Sequence, residues 1–196
     1  MSRVSTAFLL ALFAGAAGPR PVFGQSHALD RGSILIGGEA SLTSTSQKVD
    51  GFTMDDVIDL TLAPSAQYFA LPGLAVGGGV TVRHGDEGRW ELGIGPTVTY
   101  FFGTGERTWA PYVSGSFAWG RIWQDRWVTE PSWHGYRAAA GMEMFLASGI
   151  GLHTEAFYRY RQYNRGIPEG FDPFQNEAKS EVTVLGLAVG FSIFLF

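Results

Sequence analysis

From residue 34 to the last residue, large apolar side chains alternate with small or polar ones in stretch after stretch of the chain. In residues 58–69, Ile58, Leu60, Leu62, Pro64, Ala66 and Tyr68 share one parity, while Asp59, Thr61, Ala63, Ser65 and Gln67 take the other. A period of two places successive side chains on opposite faces of a β-strand. The same alternation marks residues 34–43, 74–83, 91–100, 112–119, 136–144, 152–161 and 184–193. Eight strands are predicted. In the last one, Leu185, Leu187, Val189, Phe191 and Ile193 oppose Val184, Gly186, Ala188, Gly190 and Ser192. Phe194 and Phe196 then fall on the second parity, so either the register changes or the end is apolar on both faces.

The connections alternate in length. Residues 45–55, 122–132 and 163–179 are long links and 84–88 an intermediate one, whereas 71–73, 103–108 and 147–149 are short. Short turns at one end and longer loops at the other are the rhythm of an up-and-down antiparallel barrel. Side-chain size assigns the faces. One parity is built from Gly, Ala, Ser and Thr with scattered charges, and the other from bulky aliphatics. The lumen of an eight-stranded barrel is only just wide enough for side chains to fill, which suits the small set. A water-soluble barrel would invert this and would carry many more surface charges. The expected fold is therefore all-β: an eight-stranded antiparallel up-and-down transmembrane β-barrel preceded by a signal peptide.

Aromatic residues gather at strand ends. Tyr68, Phe69, Tyr100, Phe101, Phe102, Trp109, Tyr112 and Phe145 lie toward the short turns; Trp90, Trp119, Trp123, Trp133, Tyr136, Tyr158 and Tyr160 lie toward the loops. Two girdles of this kind match the two interfaces of a membrane.

Composition changes the picture at the N-terminus. Arg3 precedes the short apolar run 7–18, and small residues follow, with no acidic residue before Asp30. This is the layout of a secretory signal, with cleavage expected after Gly24 or alternatively after Ala17. The expected organisation is a signal peptide over 1–24, a short periplasmic tail over 25–32 and an outer-membrane barrel over 33–196. No other window of about 20 apolar residues exists, so a membrane-spanning helix is excluded. The chain has no cysteine, which rules out disulfides, a cysteine metal site and a lipoprotein anchor. Without residues 1–24, which hold Arg3 and Arg20, 12 of the 14 basic residues stand against 18 acidic ones, a balance of −6 that argues against nucleic acid as a partner.

Several pieces resemble the small outer-membrane β-barrel family of the OmpX and OmpA-transmembrane-domain kind, over residues 32–196. They are LAPSAQYF (62–69) followed by LAVGGG (74–79), GIGPTVTYFF (93–102), AAGMEMFL (139–146) and the terminal Phe196. The resemblance implies integral residence in the outer membrane, with both termini periplasmic, and passage through the barrel assembly machinery. It implies no single activity, because family members include adhesins, structural anchors, stress proteins and a few lipid-modifying enzymes.

The charges of the small-residue parity are Glu39, Asp59, Arg83, Glu91, Arg137, Glu143, His153, Glu155, Arg159 and Arg161. In a narrow lumen they must pair, so a salt-bridged plug is expected, with Glu91, Glu143 and Glu155 facing Arg83, Arg137 and Arg159. A gated proton or small-ion path is the functional alternative; a wide diffusion pore needs more strands. His153 and Glu155 share a strand face, but His27, His84 and His134 are too distant in sequence to complete a metal site, and no cofactor is expected. Ser132, His134 and Asp125 could meet at one external loop as a nucleophile, base and acid, yet no G-x-S-x-G elbow is present. The stretch GTGER (103–107) is a turn and not a phosphate loop. Arg121, Trp123, Arg126, Trp127 and Trp133 in one loop, and Arg165, Phe171 and Phe174 in another, mix arginine with aromatics as binding surfaces do. The expected partners are outer-membrane lipid and lipopolysaccharide, with an unidentified surface ligand at 122–132 and 163–179. The function expected is non-enzymatic: a structural, envelope-integrity or surface-contact role. The alternatives are a barrel enzyme acting on lipid A or phospholipid acyl chains, and a soluble exported lipocalin-like ligand-binding barrel.

Overall fold

A computed structural model describes residues 27–45, 48–49, 52–53, 57–84, 89–103, 108–123, 132–147, 149–164 and 179–196. For 42–45, 48–49, 52–53, 57–59 and 179–180 only the backbone is described. The signal region 1–24 lies outside the described residues. The strands are β1 (Ile34–Thr45), β2 (Lys48–Val49), β3 (Phe52–Thr53), β4 (Val57–Leu71), β5 (Leu74–His84), β6 (Trp90–Phe101), β7 (Trp109–Trp123), β8 (Ser132–Ala147), β9 (Ile150–Asn164) and β10 (Lys179–Leu195). Eight of them close into one antiparallel barrel in the order β1-β10-β9-β8-β7-β6-β5-β4, while β2 and β3 form a separate ribbon.

All eight predicted segments are barrel strands, and most run longer than the alternation suggested. β9 runs to Asn164 and the last strand begins at Lys179, so the expected link 163–179 is strand at its two margins. That last strand also continues unbroken to Leu195, with Ile193 and Leu195 exposed and Phe194 buried. The end is therefore apolar on both faces, without a register change.

Parity decides direction throughout. Ile34, Leu62, Val76, Ile94, Val113, Leu187 and Phe191 stand on the outer surface, while the Gly, Ser, Thr and charged parity faces inward. A contiguous apolar belt around a whole barrel is far larger than water tolerates on a monomer. It is the surface that a hydrocarbon solvent requires.

The ladder is interrupted beside two prolines. Between β4 and β5 the pairing runs from Leu62↔Val82 to Ser65↔Gly79, and between β6 and β7 from Ile94↔Trp119 to Thr97↔Ser116. Pro64 and Pro96 sit in the gaps, and each lacks the N–H that a ladder bond needs. On their other sides both prolines remain in register, with Gly38 and Gly78 respectively. The seam between β1 and β10 is short: residues 34–40 pair with 189–195, and beyond Ala40 β1 is paired to β4 alone among the described residues.

Candidate functional site

The lumen is where the chemistry-bearing side chains converge, and it is layered. At the end of the short turns lies a dry floor of Ala28, Leu29, Leu35, Phe69, Ala75, Phe101, Ala110, Tyr112, Phe145 and Phe194. Phe69 is fully buried, with ring centroids 5.8 Å from Phe101 and 6.4 Å from Phe194; Phe145 lies 5.2 Å from Phe194. The expected tail 25–32 is, from His27 onward, a folded turn belonging to this floor. Gly73 donates its N–H to the Leu29 carbonyl (2.9 Å), Gly32 donates to Phe69 (3.0 Å), and the Ser33 hydroxyl donates to the His27 carbonyl (2.8 Å). Gly73 holds φ +76°, a conformation open to glycine, at the point where the β4–β5 turn passes close to the Phe101 carbonyl.

Above the floor, the Ser192 hydroxyl donates to Glu143 at 3.1 Å, and His153 Nδ1 lies 3.1 Å from Ser192 Oγ and 3.6 Å from Glu143 Oε2. One ring nitrogen serves both neighbours, so this is a packing cluster and not a relay in which the two nitrogens divide base and acid partners. Next comes an ionic layer. Arg137 donates to Glu39 at 2.7 Å and also to Glu155, which accepts from the Tyr112 hydroxyl at 2.8 Å. Arg159 lies 4.0 Å from Glu39, and both Arg137 and Arg159 lie over the Phe157 ring. Toward the loops, Glu91 gathers three guanidinium groups: Arg89 at 2.7 Å, Arg161 at 2.8 Å and Arg83 at 3.0 Å. Ile122, Trp133 and Tyr163 pack above it, with Arg161 stacked 4.5 Å from the Trp133 ring.

Between these layers remains an internal cavity of about 130 Å³. Its charged wall includes Arg137, Glu155, Arg159 and Arg161 from β8 and β9; the facing wall from β4 to β7 is Ser65, Gly79, Thr81, Gly95, Thr97, Ser114 and Ser116. The space is polar and large enough for ordered water, with the aromatic floor at one end and Ile122, Trp133 and Tyr163 packed on its loop side from β7, β8 and β9.

No protein-family model matches the chain, and no curated protein matches it. Solved structures do. The N-terminal β-barrel domain of Pseudomonas aeruginosa OprF is similar at 13% identity, over 84% of this chain and 98% of that one, with a TM-score of 0.52. Neisserial surface protein A is similar at 14% identity, over 82% and 96% of the two chains, with a TM-score of 0.57. The outer membrane protein OprG from Pseudomonas aeruginosa also matches, at 13% identity, over 85% and 97%, with a TM-score of 0.48. The fold is that of a small outer-membrane β-barrel.

Against this barrel, the residues singled out in the sequence divide as follows. Glu39, Arg83, Glu91, Arg137, Glu143, His153, Glu155, Arg159 and Arg161 all take part in lumen ion pairs or hydrogen bonds. The Asp59 side chain lies outside the described residues. Glu143 sits opposite His153 in the β8–β9 register, below the arginine layer, and among the described residues it bonds Ser192 rather than an arginine. Four lumen partners were missed, namely Arg89, Tyr112, Tyr163 and Ser192. Ser192 was placed on the small parity but not among the polar set, and Arg89 and Tyr163 share the parity of Glu91 and Arg161, so extending the strands outward would have found them.

Trp133 corrects the surface reading. It is a lumen residue, 3% exposed, because it has the inward parity of Arg137. Phe69, Phe101, Tyr112 and Phe145 likewise leave the expected girdle for the floor, while Tyr68, Tyr100, Phe102 and Trp109 remain outside. Arg121 and Trp123 are strand residues on the outer face of β7. Arg126, Trp127, Arg165, Phe171 and Phe174 lie outside the described residues, as does Asp125. Ser132 and His134 share the outer parity of β8.

Proposed function

We propose that this chain is an integral outer-membrane barrel with a structural and surface-contact role, performing no catalysis and conducting no solute through its axis. The observation that carries this reading is a lumen occupied by ion-paired charges above an aromatic floor, inside an apolar outer belt. A barrel of this kind contributes a rigid membrane body that displays its inter-strand connections; charges in its core serve to hold it closed. The strand ends Ile34 and Leu195 pair at the floor, so both chain ends leave at the short-turn side, which we assign to the periplasm. The strand ends Thr45, Val57, His84, Trp90, Trp123, Ser132, Asn164 and Lys179 lie at the opposite side, which we assign to the exterior and its lipopolysaccharide. Assembly through the barrel machinery accords with the apolar final strand and its terminal Phe196.

Detergent-gel migration of boiled against unboiled protein from an outer-membrane fraction tests the membrane barrel, because a closed ladder has no edge from which to fray. Heat-modifiable migration is expected; a soluble protein with unchanged migration would overturn the reading. Planar-bilayer recording tests the occupied lumen: no stable conductance step is expected from the purified protein, and a reproducible open channel would restore the ion path.

A further inference from the structure

Thr97, Ser116, Arg137 and Arg159 stand side by side on β6, β7, β8 and β9, each paired to the next in the ladder. All four have the inward parity, and all four line the internal cavity. One register row thus carries two hydroxyls and two guanidinium groups, an arc of hydrogen-bond donors along the lumen wall.

The two arginines are not equally answered. Arg137 bonds both Glu39 and Glu155, and Glu155 also accepts from Tyr112. The third carboxylate of the lining, Glu143, is taken by Ser192. Arg159 is left with Glu39 at 4.0 Å, the carboxylate that Arg137 already holds at 2.7 Å. Its side chain is nine-tenths buried, and it makes no hydrogen bond among the described residues. Phe157 lies against the face of its guanidinium, 4.9 Å from ring centroid to central carbon. Stacking of this kind engages the face and leaves the in-plane N–H donors uncommitted. The hydroxyls of Thr97 and Ser116 likewise bond no protein group among the described residues. A buried guanidinium with unused donors is costly, so the arc lacks an acceptor.

We propose that this arc binds one small monovalent inorganic anion, chloride being the abundant example, held between the Arg159 guanidinium and the hydroxyls of Ser116 and Thr97. Such a ligand lies outside the structural and surface-contact role above and depends only on the lumen. A water molecule accepts from the same donors, but an anion also offsets the repulsion between Arg137 and Arg159. Size and charge are limited by the surroundings. A cavity of about 130 Å³ excludes lipid and polymer, and Glu39 and Glu155 in the same lining oppose a second negative charge.

The test uses the full-length protein in an uncharged detergent, unfolded with urea in sodium chloride against sodium gluconate at constant ionic strength. A ligand bound only by the folded state raises stability with the logarithm of its concentration once above its dissociation constant. Native protein should show that dependence on chloride. R159Q and S116A should each bind chloride about tenfold more weakly, the range for losing one contact to a charged group. S116A keeps every charge and removes one hydroxyl, so it decides the matter if R159Q does not fold. R31Q, which loses a cation from the exposed N-terminal turn, should respond as the native protein does. In crystals soaked with bromide, an anomalous peak is expected within hydrogen-bonding reach of Arg159 and Ser116. A stability gain merely linear in chloride, or equal in native, R159Q and S116A protein, would overturn the proposal. So would a bromide-soaked crystal without a peak in the lumen, which would assign the cavity to water. Heat-modifiable migration of the native protein, recorded beside these, keeps the membrane barrel standing whichever way the chloride result falls.

Discussion

Arg137 and Arg159 stand directly opposite each other across the β8–β9 ladder, two cations facing into one narrow lumen. Glu39, from β1 on the far side of β10, holds the pair, at 2.7 Å from Arg137 and 4.0 Å from Arg159. Like charges placed opposite one another in a sheet repel, so this carboxylate, together with Glu155 on Arg137, lets both arginines remain. E39Q keeps the shape and removes the charge. It should destabilise the barrel by about 3–5 kcal/mol, the cost of leaving a buried charge uncompensated, as read from urea unfolding in lipid vesicles followed by tryptophan fluorescence. A loss below measurement error would show that Glu155 alone carries the cluster.

The floor should be as sensitive as a soluble protein's core. Leu29 is buried among Phe69, Phe101 and Phe194, although it lies outside the barrel strands. L29A is expected to cost about 2–5 kcal/mol by the same unfolding assay. A neutral result would mean that the N-terminal turn rests on the floor without holding it.

Two outwardly similar glycines should behave differently. A Cβ at Gly95 would overlap the Phe117 carbonyl of the neighbouring strand, beside the ladder gap at Pro96, whereas one at Gly115 meets open space. G95A should destabilise by about 1–3 kcal/mol, and G115A should be neutral within about 0.5 kcal/mol. Chemical denaturation of the two variants side by side checks the contrast.

The short β1–β10 seam should be visible in exchange. Backbone groups of β10 at 181–187 are paired on one side with β9 but lack a β1 partner among the described residues. Their amides should exchange faster than those of 189–193, which are paired on both sides, in hydrogen–deuterium exchange of the folded protein in detergent. Uniform protection along β10 would argue against the interruption.

Much of this architecture was legible because hydrocarbon outside and a crowded lumen inside impose opposite demands on alternate residues. Eight alternating stretches became eight strands, and nearly every charge on the small parity became a lumen residue. Aromatic side chains were harder to read, because an aromatic at a strand end fits both an interface and a plug. Phe69 and Tyr68 are neighbours in sequence, yet one is fully buried and the other is on the outside. Parity separates them, but clustering by position along the strand does not, and Trp133 was misplaced for the same reason. The fold of residues 27–33 into the floor was not legible, since a turn held by backbone bonds to the β4–β5 loop leaves no periodic trace. Partner identity within the ion pairs was also hidden: Arg161 reaches Glu91 three strands away in space, a distance set by barrel curvature rather than by spacing in the chain.

The barrel's first and last strands end together at the floor, where Ile34 pairs with Leu195 and the His27 ring lies 6.4 Å from that of Phe196. Topologically the polypeptide is therefore almost a ring, cut at one point. A short linker from Phe196 to His27 could bridge that cut, and new ends could be opened within 165–178 without breaking any described strand pair. The order in which the strands leave the ribosome is thus separable from the order in which they stand around the wall. For this protein, moving the chain ends would leave every described strand neighbour in place while changing which strand is made last.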